Sequence, residues 1–226
     1  MPSISRRKFL KLTGAGVVSS IMSCSCASHA TPTPTPKTIL SPTVDTTPTP
    51  EITIPTSILA DRVAYICGCE PDTHNPGGGG NYILYIGNYC KNSERFLLHW
   101  DLSGLPEGVK ISTAIMGLYY VEIYGAPSGH LVYAHLLSDW GDTVTYATQP
   151  ENVSQEQVSA EWPVKGQWHE VDITPLVTFW LVNREKNYGL LGYAVDIQDD
   201  TCSAVFNSIL QKPEDLRPKL TLVYGS

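Results

Sequence analysis

Residues 95–102 set the terms for the rest of the chain. In Arg95-Phe96-Leu97-Leu98-His99-Trp100-Asp101-Leu102, the side chains of Phe96, Leu98, Trp100 and Leu102 fall on one face, with Arg95, His99 and Asp101 on the other. That two-residue period is the pattern of a half-buried β-strand. Further strand-like stretches recur at residues 82–87, 114–124, 131–137, 168–173, 189–196, 202–207 and 220–224, punctuated by turn residues such as Gly125-Ala126-Pro127-Ser128-Gly129. Many short strands at this spacing cannot bury their apolar faces singly, and they predict an all-β sandwich or barrel. One short helix is predicted over residues 175–183, with Thr174 as N-cap and Pro175 in its first turn. No internal repeat or heptad pattern is visible.

The N-terminal residues carry a different kind of information. Ser5-Arg6-Arg7-Lys8-Phe9-Leu10-Lys11 fits the twin-arginine export pattern, and an uncharged, mildly apolar stretch follows over residues 12–22. That stretch is too short to cross a hydrocarbon layer of about 30 Å as a helix, so residues 1–30 are expected to be a signal peptide. Two endings fit. Ile21-Met22-Ser23-Cys24 approximates a lipobox, with Cys24 the candidate for lipidation; the alternative is cleavage after Ala27 or Ala30. Acyl chains would give a membrane anchor worth about 0.8 kcal/mol per buried CH₂. Residues 31–57 are rich in Thr-Pro pairs and nearly free of large apolar side chains. Proline fixes φ and removes a donor, so this segment is expected to run as an extended polyproline II linker, reaching roughly 80 Å at about 3.1 Å per residue. Residues 58–226 remain as one domain, expected outside the cytoplasm or at the cell surface.

The order of motifs in that domain resembles the DNRLRE domain, also classed as carbohydrate-binding module family 96. The likeness runs through residues 95–103, then Ala114-Ile115-Met116-Gly117-Leu118-Tyr119, then Ser138-Asp139-Trp140, Val144-Thr145-Tyr146 and Gln149-Pro150. It continues with Asp172-Ile173-Thr174, Trp180, Gly189-Leu190, Phe206-Asn207-Ser208 and Arg217-Pro218-Lys219-Leu220. The resemblance implies a jelly-roll β-sandwich of an extracellular, non-catalytic carbohydrate-binding module. Trp100, Trp140, Tyr146 and Trp180 stand at motif positions and are expected in the core. The segment from Cys67-Gly68-Cys69 to Cys90, with Gly77-Gly78-Gly79-Gly80 between, has no counterpart in the family pattern.

Charge narrows the partners. Removing Arg6, Arg7, Lys8 and Lys11 from the 15 basic residues leaves 11 against 22 acidic ones, a formal charge of −11. Such a balance disfavours nucleic acid and acidic polysaccharide, leaving neutral polysaccharide as the expected partner and the N-terminal lipid as the only expected membrane contact.

The chemistry-bearing residues support binding more than turnover. Gly77-Gly78-Gly79-Gly80 lacks the Lys-Ser or Lys-Thr of a phosphate loop, and no G-x-S-x-G nucleophile context occurs. No cofactor motif is present. Asp196, Asp199 and Asp200 cluster near a turn and are candidate ligands for a structural calcium. Four cysteines, Cys67, Cys69, Cys90 and Cys202, are candidates for two disulfides in an oxidising compartment. Cys67 and Cys69 are so close in sequence that each is expected to pair with Cys90 or Cys202. Sugar rings stack on exposed aromatic faces, and Trp162, in the polar loop Ala160-Glu161-Trp162-Pro163, is the first candidate, followed by Tyr82, Tyr89 and Tyr119. A structural or adhesive module that binds protein or cell wall, with no free glycan, is the alternative. A third reading, an enzyme, would need two carboxylates facing each other across a cleft.

Overall fold

The computed structural model describes residues 55–79, 82–164 and 166–224. Among them the strands, in chain order, are β1 (Thr56–Leu59), β2 (Arg62–Cys67), β3 (Asn75–Pro76), β4 (Ile83–Tyr89), β5 (Asn92–His99) and β6 (Ile111–Tyr124). They continue as β7 (His130–Leu136), β8 (Asn152–Ala160), β9 (Trp168–Asp172), β10 (Leu190–Val195), β11 (Ser203–Asn207) and β12 (Lys219–Tyr224). One α-helix, α1 (Thr174–Val182), lies between β9 and β10. Arg6 and Arg7 of the expected export signal, Cys24 and nearly all of the expected Thr-Pro linker lie outside the described residues.

The fold is an all-β sandwich built by curling one antiparallel sheet. The strands run β1-β12-β6-β11-β4-β5-β10-β7-β8, with β2 joined to β5 and β9 to β6. The long β6 is the hinge of this arrangement. Its first part pairs with β12, its middle with β9, and its last residues, Tyr120 to Tyr124, with β11. Alternation then sends Phe96 and Leu98 of β5, Leu84 and Ile86 of β4, and Met116 and Leu118 of β6 inward, all fully buried. Trp100 joins them just past β5, and α1 adds Leu176, Val177 and Trp180.

Three sequence expectations are corrected. Thr174 does not cap α1: Ile173 holds the N-cap position without a side-chain hydrogen bond. The Thr174 hydroxyl instead donates to Asp172 and accepts from the backbone N–H of Ala114, so it ties β9 to β6. The domain also begins earlier than residue 58, because Thr56 and Ser57 are already in β1, in register with Leu222 and Thr221 of β12. Third, β5 has no solvated face along its middle. Leu97 is fully buried with Ala64, Ile66, Leu136 and Leu191 beneath Trp140 and Val144. The loop that carries Trp140 is held by its indole N–H donating to the Tyr188 carbonyl, and the Arg62 guanidinium lies 4.9 Å from the ring. Trp100, Trp140 and Trp180 are thus core residues as expected, and Tyr146 is partly buried against the same second cluster.

Close backbone approach explains one glycine that closes this layer. At Gly189 φ is +83°, and a Cβ there would stand 2.1 Å from the Leu98 carbonyl oxygen. Only glycine lets the chain enter β10 against β5.

Candidate functional site

In β4 the alternation that buries Leu84 and Ile86 turns Tyr85 and Tyr89 to the opposite face, with Gly87 between them. A Cβ at Gly87 would stand 2.1 Å from the Cys202 carbonyl oxygen, so the missing side chain lets β11 close against β4. Here the chain forms a cleft of about 510 Å³, to which β2 contributes Tyr65, β5 contributes Glu94 and the end of β6 contributes Tyr124. Tyr65 and Tyr85 form one wall, their ring centroids 5.2 Å apart and their planes inclined at 53°. Tyr89 and Tyr124 stand about half exposed. Glu70, on the loop after β2, also lines the cleft.

Glu94 is the unusual member. It is 5% exposed and stands directly opposite Gly87 of β4, where β5 begins. The Tyr65 hydroxyl donates to its Oε1 at 2.6 Å. Its Oε2 is buried and has no hydrogen-bond partner among the described residues. Burial pushes the carboxyl above the usual range, against the pull of the neighbouring Ser203 and Tyr65 hydroxyls. Burial and the neighbouring carboxylate also push the Tyr65 hydroxyl up, so it stays a protonated donor.

The sequence-derived candidates separate. Tyr89 is in the cleft. Tyr82, with φ of +57° and half exposed, is not among the residues that line it. Tyr119 packs edge-on against Trp168 at 5.6 Å between centroids, on the β6–β9 layer. Trp162 lines a different, shallow groove together with Trp168 and is partly buried against the core. Its indole N–H donates to the Ser128 carbonyl at 2.9 Å, which makes the ring a brace for the loop between β6 and β7. Replacing Trp162 by alanine is therefore expected to lower the melting temperature, in contrast with the behaviour of a free surface ring, and thermal unfolding would measure it.

Among the described residues no group of three or more His, Cys, Asp or Glu side chains is placed to hold an ion. Asp199 accepts from the backbone N–H groups of Ala126 and Thr201, and Asp200 faces Lys91 at 3.6 Å, so both serve the loop. The expected long-range disulfides are also corrected. Cys67 is joined to Cys69, while Cys90 and Cys202 are free thiols, Cys90 exposed and Cys202 buried. The chain turns sharply after β2 where the Gly68 N–H donates to the Ser93 carbonyl, bringing the two Cα atoms to 5.2 Å, within the reach of a bridge.

Sequence reasoning missed β2 and β8 as strands, and with β2 it missed Tyr65. A signal for Glu94 existed. It shares parity with Phe96, Leu98 and Trp100, and a carboxylate on an apolar stripe is seldom buried without a purpose. Comparison with known families returns a match over residues 61–222 to the model of carbohydrate-binding module family 96. No curated protein matches the chain.

Proposed function

The chain belongs to carbohydrate-binding module family 96, and we propose that its domain holds a polysaccharide in the tyrosine-lined cleft, without turning it over, while displayed outside the cytoplasm. One observation carries this reading: four tyrosine side chains from three strands converge on a cleft that also contains a buried, partly unpartnered carboxylate. Pyranose C–H faces stack on such rings, while a carboxylate oxygen and the tyrosine hydroxyls serve the sugar's polar edge. Among the described residues, no Lys, Arg or His lines the cleft. That lining, together with the mature charge, favours a glycan without carboxylates over alginate or pectin.

Tyr89→Ala and Tyr124→Ala are expected to reduce retention in affinity gels of a neutral glucan or xylan at least tenfold, about 1.4 kcal/mol, in line with truncating a central aromatic anchor. Because both rings are half exposed, melting temperatures should hardly move. Retention by alginate or pectin gels with none by neutral ones would sink the charge argument. Passage through every gel without delay would favour the structural or adhesive module. Release of new reducing ends would favour an enzyme, since Glu70 and Glu94 share the cleft.

Display rests on the N-terminal pattern. Changing Arg6 and Arg7 to Lys-Lys is expected to trap precursor in the cytoplasm, checked by fractionation, and unchanged export would point to the general secretory route. Radioactive fatty acid should label the chain, and Cys24→Ala should abolish the label. Labelling that survives Cys24→Ala would place the anchor elsewhere.

A further inference from the structure

Resting on the reading of the cleft as a glycan site, we infer that its ligand carries a free amine: a hexosamine unit whose ammonium sits against Glu94 and the faces of the tyrosines. The first reason is the carboxylate itself. Glu94 is 5% exposed and its Oε1 is already served by the Tyr65 hydroxyl; Oε2 makes no hydrogen bond among the described residues, because the neighbouring Ser203 hydroxyl donates to the Ile86 carbonyl instead. A buried carboxylate with an unfilled acceptor site is costly, and an incoming cation with its own donors is the group that relieves it best.

The second reason is the surroundings. Among the described residues no basic side chain lines the cleft, and a second carboxylate, Glu70, does. Lys91, the cation of the adjacent hairpin turn, faces Asp200. None of the described residues of the cleft therefore supplies the compensating charge, and the ligand is left to bring it. The third reason is the aromatic wall. Tyr65 and Tyr85 meet at an open angle, with Tyr89 and Tyr124 beyond them, and ring faces attract an ammonium through their quadrupoles. A hydroxyl at the same place could donate one hydrogen bond but would leave the charge unmet. A uronate carboxylate would face two like charges. An N-acetyl group would remove both the charge and the extra donors.

The test compares three β-1,4 oligosaccharides of equal length by titration calorimetry with the exported domain: glucosamine, N-acetylglucosamine and glucose. The titrations are run at about pH 6, well below the ~7.7–8.0 of an α-amino group, because the oxygens around a sugar amine make it less basic than that and it must be charged. At physiological salt of about 0.15 M the diffuse attraction of a negative protein is largely screened, whereas a buried pair is not. The glucosamine oligomer is expected to bind at least tenfold more tightly than the other two, and Glu94→Gln should erase the difference while Tyr65 keeps an oxygen to donate to. Should Glu94→Gln fail to fold, Glu70→Gln at an exposed position is expected to weaken the same preference severalfold. Equal binding of all three oligomers, or tighter binding of the neutral ones, overturns the amine and leaves the glycan site standing. A preference that survives both substitutions and vanishes with added salt also overturns it, because bulk charge is then responsible. Binding of none of the three, nor of any other glycan, removes the glycan reading and the amine together.

Discussion

Replacing Trp180 by alanine is expected to remove about 3–5 kcal/mol of folding stability, the range for truncating a buried large aromatic. The side chain is 1% exposed and is one of three residues by which α1 enters the core. Its indole N–H donates to Nδ1 of His135 at 3.0 Å, and His135 is itself 2% exposed. Truncation would leave a void under the helix and an imidazole nitrogen with no donor. With 9 residues and no side-chain cap, α1 is also shorter than the ~12–15 residues that an isolated helix needs, so its order comes from this contact. Against a total stability of ~5–15 kcal/mol, the variant should be near its folding limit. Urea unfolding would read the effect as a lowered midpoint. Trp180→Phe, which keeps a ring but loses the N–H, should fall between the two, with about 1–3 kcal/mol for the stranded acceptor. A loss for Trp180→Ala no larger than the ~0.5 kcal/mol of a surface change would contradict the seating of α1 on the sandwich.

The second large effect is with acid. Burial lowers His169 from 6.5 to about 4. It is 8% exposed, its Nε2 lies 2.9 Å from the Tyr133 hydroxyl, and its ring faces Phe206 at 5.6 Å. Above pH 6.5 the imidazole is neutral in both folded and unfolded chains and contributes nothing to the pH dependence. Between 6.5 and about 4 the unfolded chain takes up the proton and the folded one does not, so stability falls as the pH falls. At about 1.4 kcal/mol per unit, this loss reaches roughly 3 kcal/mol by pH 4 and then levels off. His135, also lowered by burial, adds in the same direction. Glu94 opposes them, because its raised carboxyl is more readily protonated in the folded state. His169→Gln should lower stability at pH 7 yet flatten the slope between pH 6.5 and 4. A wild-type domain equally stable at both ends of that window would show that His169 is not buried as a neutral ring.

The two kinds of prediction draw on different parts of the chain. Strand positions and inward faces were legible because alternation is a property of the local backbone. Phe96, Leu98 and Trp100 turn inward wherever β5 is placed, and Ala114, Met116 and Leu118 of β6 do likewise. Where the signal failed, it failed for reasons of neighbourhood. Leu97 looked like an outward residue until the loop with Trp140 covered that face, and Thr174 looked like a cap until β6 offered it the Ala114 N–H. Trp162 looked free in its polar loop, yet Ser128 takes its indole N–H.

The candidate site shows the same division. Composition and pattern alone were enough to determine an all-β domain behind a Thr-Pro segment, with an acidic surface and more aromatic rings than its core requires. Which rings share a cleft was decided only by tertiary structure. Tyr65, Tyr85, Glu94 and Tyr124 lie on four strands, brought together because the sheet curls until β2, β4 and the end of β6 meet around β5 and β11. Side-chain parity is set residue by residue along one strand. The meeting of distant strands depends on pairings between segments far apart in the chain, and no local period records them.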